Sequence, residues 1–199
     1  MFISFEGIDG SGKSTQAKCL ADALTQRGLD VVLTREPGGS EGAEAIRKLL
    51  VEGDKNRWSP ETEILLFNAA RRDHLENTIR PALDAGKTVI TDRFADSTRV
   101  YQGVARSDLT QFVEAIHKTA IATEPDLTFV IDADPEVSLT RGLARNNGEE
   151  RFEAFGLQFQ KDLRKGFLEL AKTQSRFHVV DGMRDIKAVS DDILRILDA

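Results

Sequence analysis

Apolar residues fall into five short runs: Phe2 to Phe5, Val31 to Thr34, Thr88 to Asp92, Leu127 to Asp132 and Phe177 to Asp181. Each is nearly continuous rather than alternating, which predicts strands covered on both faces. Between them, apolar residues recur at helical spacing. The pattern predicts helices over Lys13 to Arg27, with Gly28 as stop signal, and over Ser40 to Leu50. A long helix enters through Ser59-Pro60, an N-cap and first-turn pair, and runs to about Ala85 with a kink or break at Pro81. Further helices are predicted over Asp96 to Val104, Asp108 to Ala122, Pro135 to Ala144, about Phe152 to Lys172, and Ile186 to Leu197. Strand and helix alternate throughout. The implied architecture is α/β, a five-stranded parallel sheet with helices on both faces. In such sheets ligands collect beyond the carboxyl ends of the strands. Chemistry is therefore expected after Phe5, Thr34, Asp92, Asp132 and Asp181.

Composition narrows this picture. The 199 residues suit a single domain, residues 1 to 199. A net charge of −6 argues against a nucleic acid polymer as partner, so an anion site must be a local basic cluster. The one cysteine, Cys19, excludes an intrachain disulfide and suits a reducing cytoplasm; beside Leu20 and Ala23 it reads as a buried structural thiol. No apolar run approaches the roughly 20 residues needed to span a membrane. Glu6 and Gly7 interrupt the N-terminus too early for a signal peptide.

The first strand leads into Gly7, Ile8, Asp9, Gly10, Ser11, Gly12, Lys13, Ser14 and Thr15. Gly7-x4-Gly12-Lys13-Ser14, with a strand before and a helix after, is a P-loop. Its glycines let successive N–H groups curl around a phosphate, and the helix adds its own unpaired N–H groups. Lys13 reaches the outer phosphates, and the Ser14 hydroxyl is a magnesium ligand. The chain lacks the Asn-Lys-x-Asp motif of a GTPase switch, and is short for a motor ATPase. A kinase for a small molecule fits best.

The acceptor side reads from four further places. "TREPGG" brings Arg35 and Glu36 to the edge of the second strand, as a site wall or a plain turn. Phe67 and Arg71 lie four apart on one helical face, a ring and a forked donor suited to reading a nucleobase; core packing is the competing role for Phe67. Asp92 ends the third strand where a carboxylate holds magnesium or orients the acceptor, and Arg93 beside it suits a phosphate. Ser97 and Tyr101 share the next helical face, and Tyr101-Gln102 can line sugar and base. Finally, Arg141, Arg145 and Arg151 surround Asn146-Asn147-Gly148 and read as a mobile lid at about 141 to 153, against a solvated charged hairpin. These residues leave two kinase readings open, for a nucleoside monophosphate or for another small acceptor, and a non-catalytic nucleotide-binding module as a third.

Taken together, "FEGIDGSGKST", "TREPGG", "LLFNAAR", "DRF" followed by "STRVYQG", "PDLTFVIDADPEV" and the arginine-rich lid resemble the bacterial thymidylate kinases, in that family's order and over residues 2 to about 170. The resemblance implies the nucleoside monophosphate kinase fold, usually as a homodimer. It implies magnesium-dependent transfer of the ATP γ-phosphate to dTMP, giving dTDP on the way to dTTP. By matched position it implies that Phe67 stacks on thymine and Arg71 reads it. Arg93 then clamps the dTMP phosphate, and Asp9 and Asp92 stand by the phosphates and metal. Tyr101 disfavours a ribose 2′-hydroxyl, and Arg141 flanks adenine. Some members carry a catalytic arginine inside the P-loop, at the position of Gly10. This chain resembles the other subtype, whose arginine comes from the lid, with Arg145 and Arg151 as candidates and Arg141 less so. Phe94 stands where many members have Tyr or His, which removes a polar group near the acceptor and weakens the carry-over of contacts at that position, though not that of Arg93.

Overall fold

The computed structural model describes residues 1–54, 56–104, 109–144 and 151–198. Five strands, β1 (Phe2–Glu6), β2 (Val31–Arg35), β3 (Thr88–Asp92), β4 (Leu127–Asp132) and β5 (Phe177–Asp181), pair in parallel in the order β2-β3-β1-β4-β5. β1 lies between β3 and β4, with Phe5 opposite both Asp92 and Phe129. This register brings the carboxyl ends of β1, β3 and β4 to one edge. Ile3, Phe5, Val89, Ile90 and Phe129 are fully buried, as the continuous apolar runs require. The outer strands depart from that expectation: Leu33 on β2 and Val179 on β5 are about half exposed, because each has one neighbour and incomplete cover.

Helices cover both faces. α1 (Lys13–Gln26) and α9 (Ile186–Leu197) pack Leu20, Leu24 and Ile193 against one face. α8 (Leu157–Leu170) places Phe159, Leu163 and Phe167 on the other. α2 (Glu41–Val51) packs on α3 (Pro60–His74). Ser59 caps α3 by accepting from the Thr62 N–H, with Pro60 in the first turn, as the sequence predicts. The interruption expected at Pro81 is a π-turn over Leu75–Ile79, leading into α4 (Arg80–Asp84). Proline cannot donate the bond that a regular helix needs there, and the preceding turn widens to absorb the loss.

The expected helix over 96 to 104 is a short α5 (Ala95–Thr98) and a π-turn, Arg99–Val104. α6 (Thr110–Ile116) likewise ends in a π-turn, His117–Ile121. α7 (Pro135–Leu143) is capped by Asp134, which accepts from the N–H groups of Glu136 and Val137. The helix predicted from Phe152 is corrected. Glu153–Phe155 form a single 3₁₀ turn, and Gly156, at φ 86°, ends it before α8 begins at Leu157. Among the described residues no helix is long and apolar enough to cross a membrane.

One buried ionic cluster ties α5 to the strands behind it. Asp96, fully buried, accepts from Arg99 at 2.8 Å and from Arg176 at 2.7 Å, and Arg176 also donates to the Thr128 hydroxyl. Removing the carboxylate takes the one fully buried anion from Arg99 and Arg176, which are left sharing the more exposed Glu124, with Glu114 on Arg99 alone. Asp96→Ala should therefore lower stability by about 3 to 5 kcal/mol, read as a shift in the urea midpoint. A midpoint unchanged from the wild type would show that the cluster is solvated.

Candidate active site

Beyond the carboxyl ends of the strands lies a cleft of about 610 Å³, within the range of small-molecule sites. The P-loop forms its floor, from Asp9 through Thr15. Gly7 and Ile8 lie behind the loop rather than on the cleft wall. Gly10 has φ 78°, a conformation open to glycine, and α7 crosses directly over it. A side chain at this position would collide with the Ser138 backbone, whose carbonyl carbon would lie 2.8 Å from the new Cβ, and would crowd the Gly142 nitrogen at 3.1 Å. Glycine at this position is thus the condition for α7, with Arg141 near its end, to sit against the phosphate loop.

Lys13 is buried, and its ammonium donates to the Ile8 carbonyl at 2.7 Å. Burial, helped by the like charge of Arg93, pulls it down to about 8 against the attraction of Asp9, Asp92 and Glu6. The Ser14 hydroxyl donates to Asp92 Oδ2. Asp92 Oδ1 and Ser11 Oγ are buried and have no hydrogen-bond partner among the described residues. A hydroxyl, a carboxylate with a spare oxygen and an idle loop hydroxyl are hard oxygen groups suited to magnesium and phosphate. Among the described residues no group of three His, Cys, Asp or Glu gathers for a metal.

Arg93 links the two halves of the cleft. It has φ 73°, uncommon for a residue with a side chain. Its N–H donates to the Phe5 carbonyl, its own carbonyl accepts from Thr91, and the Phe94 N–H donates to Glu6. These bonds hold the unusual turn. The guanidinium donates to the Gly7 carbonyl (3.1 Å), Ser97 (2.8 Å), Asp9 (2.5 Å) and Tyr101 (3.0 Å). Tyr101 in turn donates to Asp9 at 2.6 Å. Burial alone would raise the Asp9 carboxyl, but Arg93, Lys13 and these hydrogen bonds outweigh it and hold it well below the usual range. Burial, with the negative charges of Asp9 and Glu153, pushes the Tyr101 hydroxyl well above its ordinary value.

Of the remaining sequence-derived candidates, Arg35, Phe67, Ser97, Gln102 and Arg141 reach the cleft wall. Phe67 is half-buried, and its ring centroid lies 6.1 Å from that of Phe152. Two candidates are corrected in position. Arg71 is buried behind the wall, donating to Glu36 at 2.7 Å and to the Phe94 carbonyl and Thr98 at 3.1 Å. It reaches the cleft through Glu36, which lines it. Arg151 is buried against Glu63 at 2.5 Å and is not part of the cleft lining, because a guanidinium in the interior needs a carboxylate. Arg145 and Asn146-Asn147-Gly148 lie outside the described residues. The sequence reading missed Arg47, Phe152, Glu153 and Arg184 on the wall. Arg184 follows β5 and was within reach of the strand-end rule. Phe152 stood at the start of a predicted helix and inside the expected lid, with nothing local to mark its ring for the cleft.

Glu6 lies beneath Arg93, fully buried, accepting from Phe94 N–H at 2.8 Å and Ser97 at 2.6 Å. Burial, with the like charge of Asp96, pushes its carboxyl up to about 7 against the pull of Arg93. The folded state therefore favours the protonated form. That stabilisation is complete below the unfolded value of 4.5 and is lost as pH rises through about 7. The melting temperature should fall between pH 5 and 8. The fall should be shallower in Glu6→Gln, which cannot ionise; equal slopes would refute the assignment.

Comparison with known proteins meets this geometry. The family model described as Thymidylate kinase matches residues 5–193. The chain is 65% identical over 193 residues to the thymidylate kinase of Dinoroseobacter shibae, covering 96% of this chain and 93% of that one. It is 63% identical over 198 residues to that of Jannaschia sp., covering 99% and 95%. The crystal structure of thymidylate kinase from Ehrlichia chaffeensis superposes with a TM-score of 0.79 at 35% identity, covering 99% of this chain and 98% of that one. A phosphate loop and a basic acceptor wall sharing one cleft, over matches of this length, leave one assignment: the chain belongs to the thymidylate kinase family.

Proposed function

We infer that this enzyme transfers the γ-phosphoryl group of ATP to dTMP, giving dTDP. The observation that carries the reading is the Arg93 guanidinium, bonded to the Gly7 carbonyl of the P-loop at 3.1 Å. A phosphate held by Arg93 lies next to phosphates held by the loop, the proximity that in-line transfer needs.

The residues divide the work. The P-loop N–H groups and Lys13 hold the donor's phosphates, and Arg141 and Arg184 face the same cleft. Phe67, Tyr101 and Gln102 form the acceptor's base and sugar wall, with Arg71 acting on the base through Glu36. Ser97 and Arg93 receive the acceptor phosphate. That phosphate displaces Asp9 from Arg93 and frees a carboxylate at the point of transfer. Ser14 and Asp92 are the residues suited to hold Mg²⁺, which when bound neutralises charge on the transferring phosphate. We read the stretch from 141 up to the anchored Arg151 as the lid, and Arg145 within it supplies the arginine that Gly10 lacks. The exposed Leu49 on α2 and Leu65 on α3 lie on neighbouring helices and suit a homodimer contact. A single cysteine suits the cytoplasm.

A coupled assay tests the acceptor: turnover with ATP should be fastest on dTMP, and faster turnover on UMP, CMP or thymidine would overturn the reading. Arg93→Ala should raise the dTMP KM by about tenfold or more, the loss of a charge-assisted pair, while moving the ATP KM far less. An equal loss for both substrates would sink the clamp. Arg145→Ala should lower kcat by about a thousandfold, as loss of a transition-state arginine does, with both KM values within a few-fold. Wild-type kcat would remove Arg145 from the mechanism.

A further inference from the structure

Arg151 is fully buried, and so is its partner Glu63 in the first turn of α3. The guanidinium spends its donors inward. Nη2 donates to Glu63 Oε1 at 2.5 Å, Nη1 to the Leu50 carbonyl at 3.1 Å, and Nε to the Asp54 carbonyl at 3.0 Å. The last two partners belong to the end of α2 and the chain beyond it. The other oxygen of Glu63 accepts from Gln102 at 3.1 Å, and Gln102 lines the cleft. One carboxylate therefore grips two segments, the chain at Arg151 and the acceptor wall at Gln102.

The next residue is Phe152. It is buried but borders the cleft, its ring edge-on to Tyr101 at 5.5 Å and 6.1 Å from Phe67. The Arg151 guanidinium lies 5.2 Å from the centre of the same ring. A buried ion pair is a poor source of net stability, since apolar residues of similar volume often do as well. What this pair does supply is register. Backbone carbonyls on one side and a shared carboxylate on the other leave the residue after Arg151 little freedom of position.

We propose that Arg151 is a positioning residue for the acceptor, acting through Glu63 to fix Phe152 as a further aromatic wall of the nucleobase pocket, beside Phe67 and Tyr101. This rests on the reading of that wall as the acceptor side. It assigns Arg151 to acceptor binding and not to transition-state charge. It also makes Phe152 a specificity determinant: a ring at this place favours a flat base seated against Phe67.

Removing Arg151 alone strands the Glu63 charge, so the pair is exchanged together as Arg151→Met with Glu63→Leu, alongside Phe152→Ala and the triple variant. Steady-state constants are measured for ATP and dTMP separately. The paired exchange and Phe152→Ala should each raise the dTMP KM about threefold to tenfold, the scale of one aromatic contact. The kcat and the ATP KM should stay within about twofold, the pattern of lost acceptor binding. The triple variant should be no worse than the worse of its parents, because both changes act on one wall. A dTMP KM unchanged in the paired exchange, or effects that multiply in the triple, would overturn the proposal. So would a collapse of kcat at constant KM, which would make Arg151 a transition-state residue. If the paired exchange does not fold, Phe152→Ala decides, and a wild-type dTMP KM there refutes the pocket wall. Failure of the wild-type enzyme to phosphorylate dTMP would instead strike the functional reading itself, before any variant is compared.

Discussion

The partly buried ion pair between Arg93 and Asp9, at the cleft wall, is the contact on which the site depends. It joins the end of β3 to the phosphate loop after β1, two strands that are neighbours in the sheet. Two charges in such a place are stable only with each other and with further hydrogen bonds. Ser97, Tyr101 and the Gly7 carbonyl supply those bonds. The backbone of Arg93 is strained to bring the guanidinium there, and Glu6 and Thr91 hold the strain in place. The pair also presets the cleft. Each partner is a group that phosphate chemistry uses, and each keeps the other charged and oriented.

From that contact the cleft spreads in two directions. On the donor side, glycine at position 10 lets α7 lie across the loop, which brings Arg141 to the wall. A side chain at position 10 and this packing of α7 exclude each other sterically. On the opposite side, Phe67, Tyr101 and Phe152 line the cleft with buried polar groups behind them. Arg71 holds Glu36, and Arg151 holds Glu63. Both are arginines whose forked donors satisfy carboxylates and carbonyls behind the surface.

The elements were largely legible from periodicity. All five strands and most of the helices stand where the apolar pattern puts them, because a parallel sheet buried on both faces demands continuous apolar runs. The P-loop was legible because its glycines answer a local backbone requirement. The helix from Phe152 was misread: Gly156 lies within an otherwise periodic stretch, and its φ 86° ends the turn before it. With that misreading went Phe152, which reaches the cleft only because the chain turns there. Arg71 and Arg151 were legible as functional-looking arginines, but not as residues behind the wall. Their carboxylates, Glu36 and Glu63, lie 35 and 88 positions away in the chain.

The sequence by itself determined what is local: the alternation of strand and helix, the phosphate loop, the cap at Ser59, and the strand-end placement of Asp92 and Arg93. Its set of motifs also determined the family. Tertiary structure decided which charges meet. Arg93 pairs with Asp9 rather than with its neighbour Asp92, Ser14 meets Asp92 across 78 residues, and Arg151 turns inward to Glu63. The physical reason is one of range. Backbone preference and periodicity act over a few residues, whereas the partner of a buried charge is chosen by whatever carboxylate the folded sheet brings within hydrogen-bonding distance.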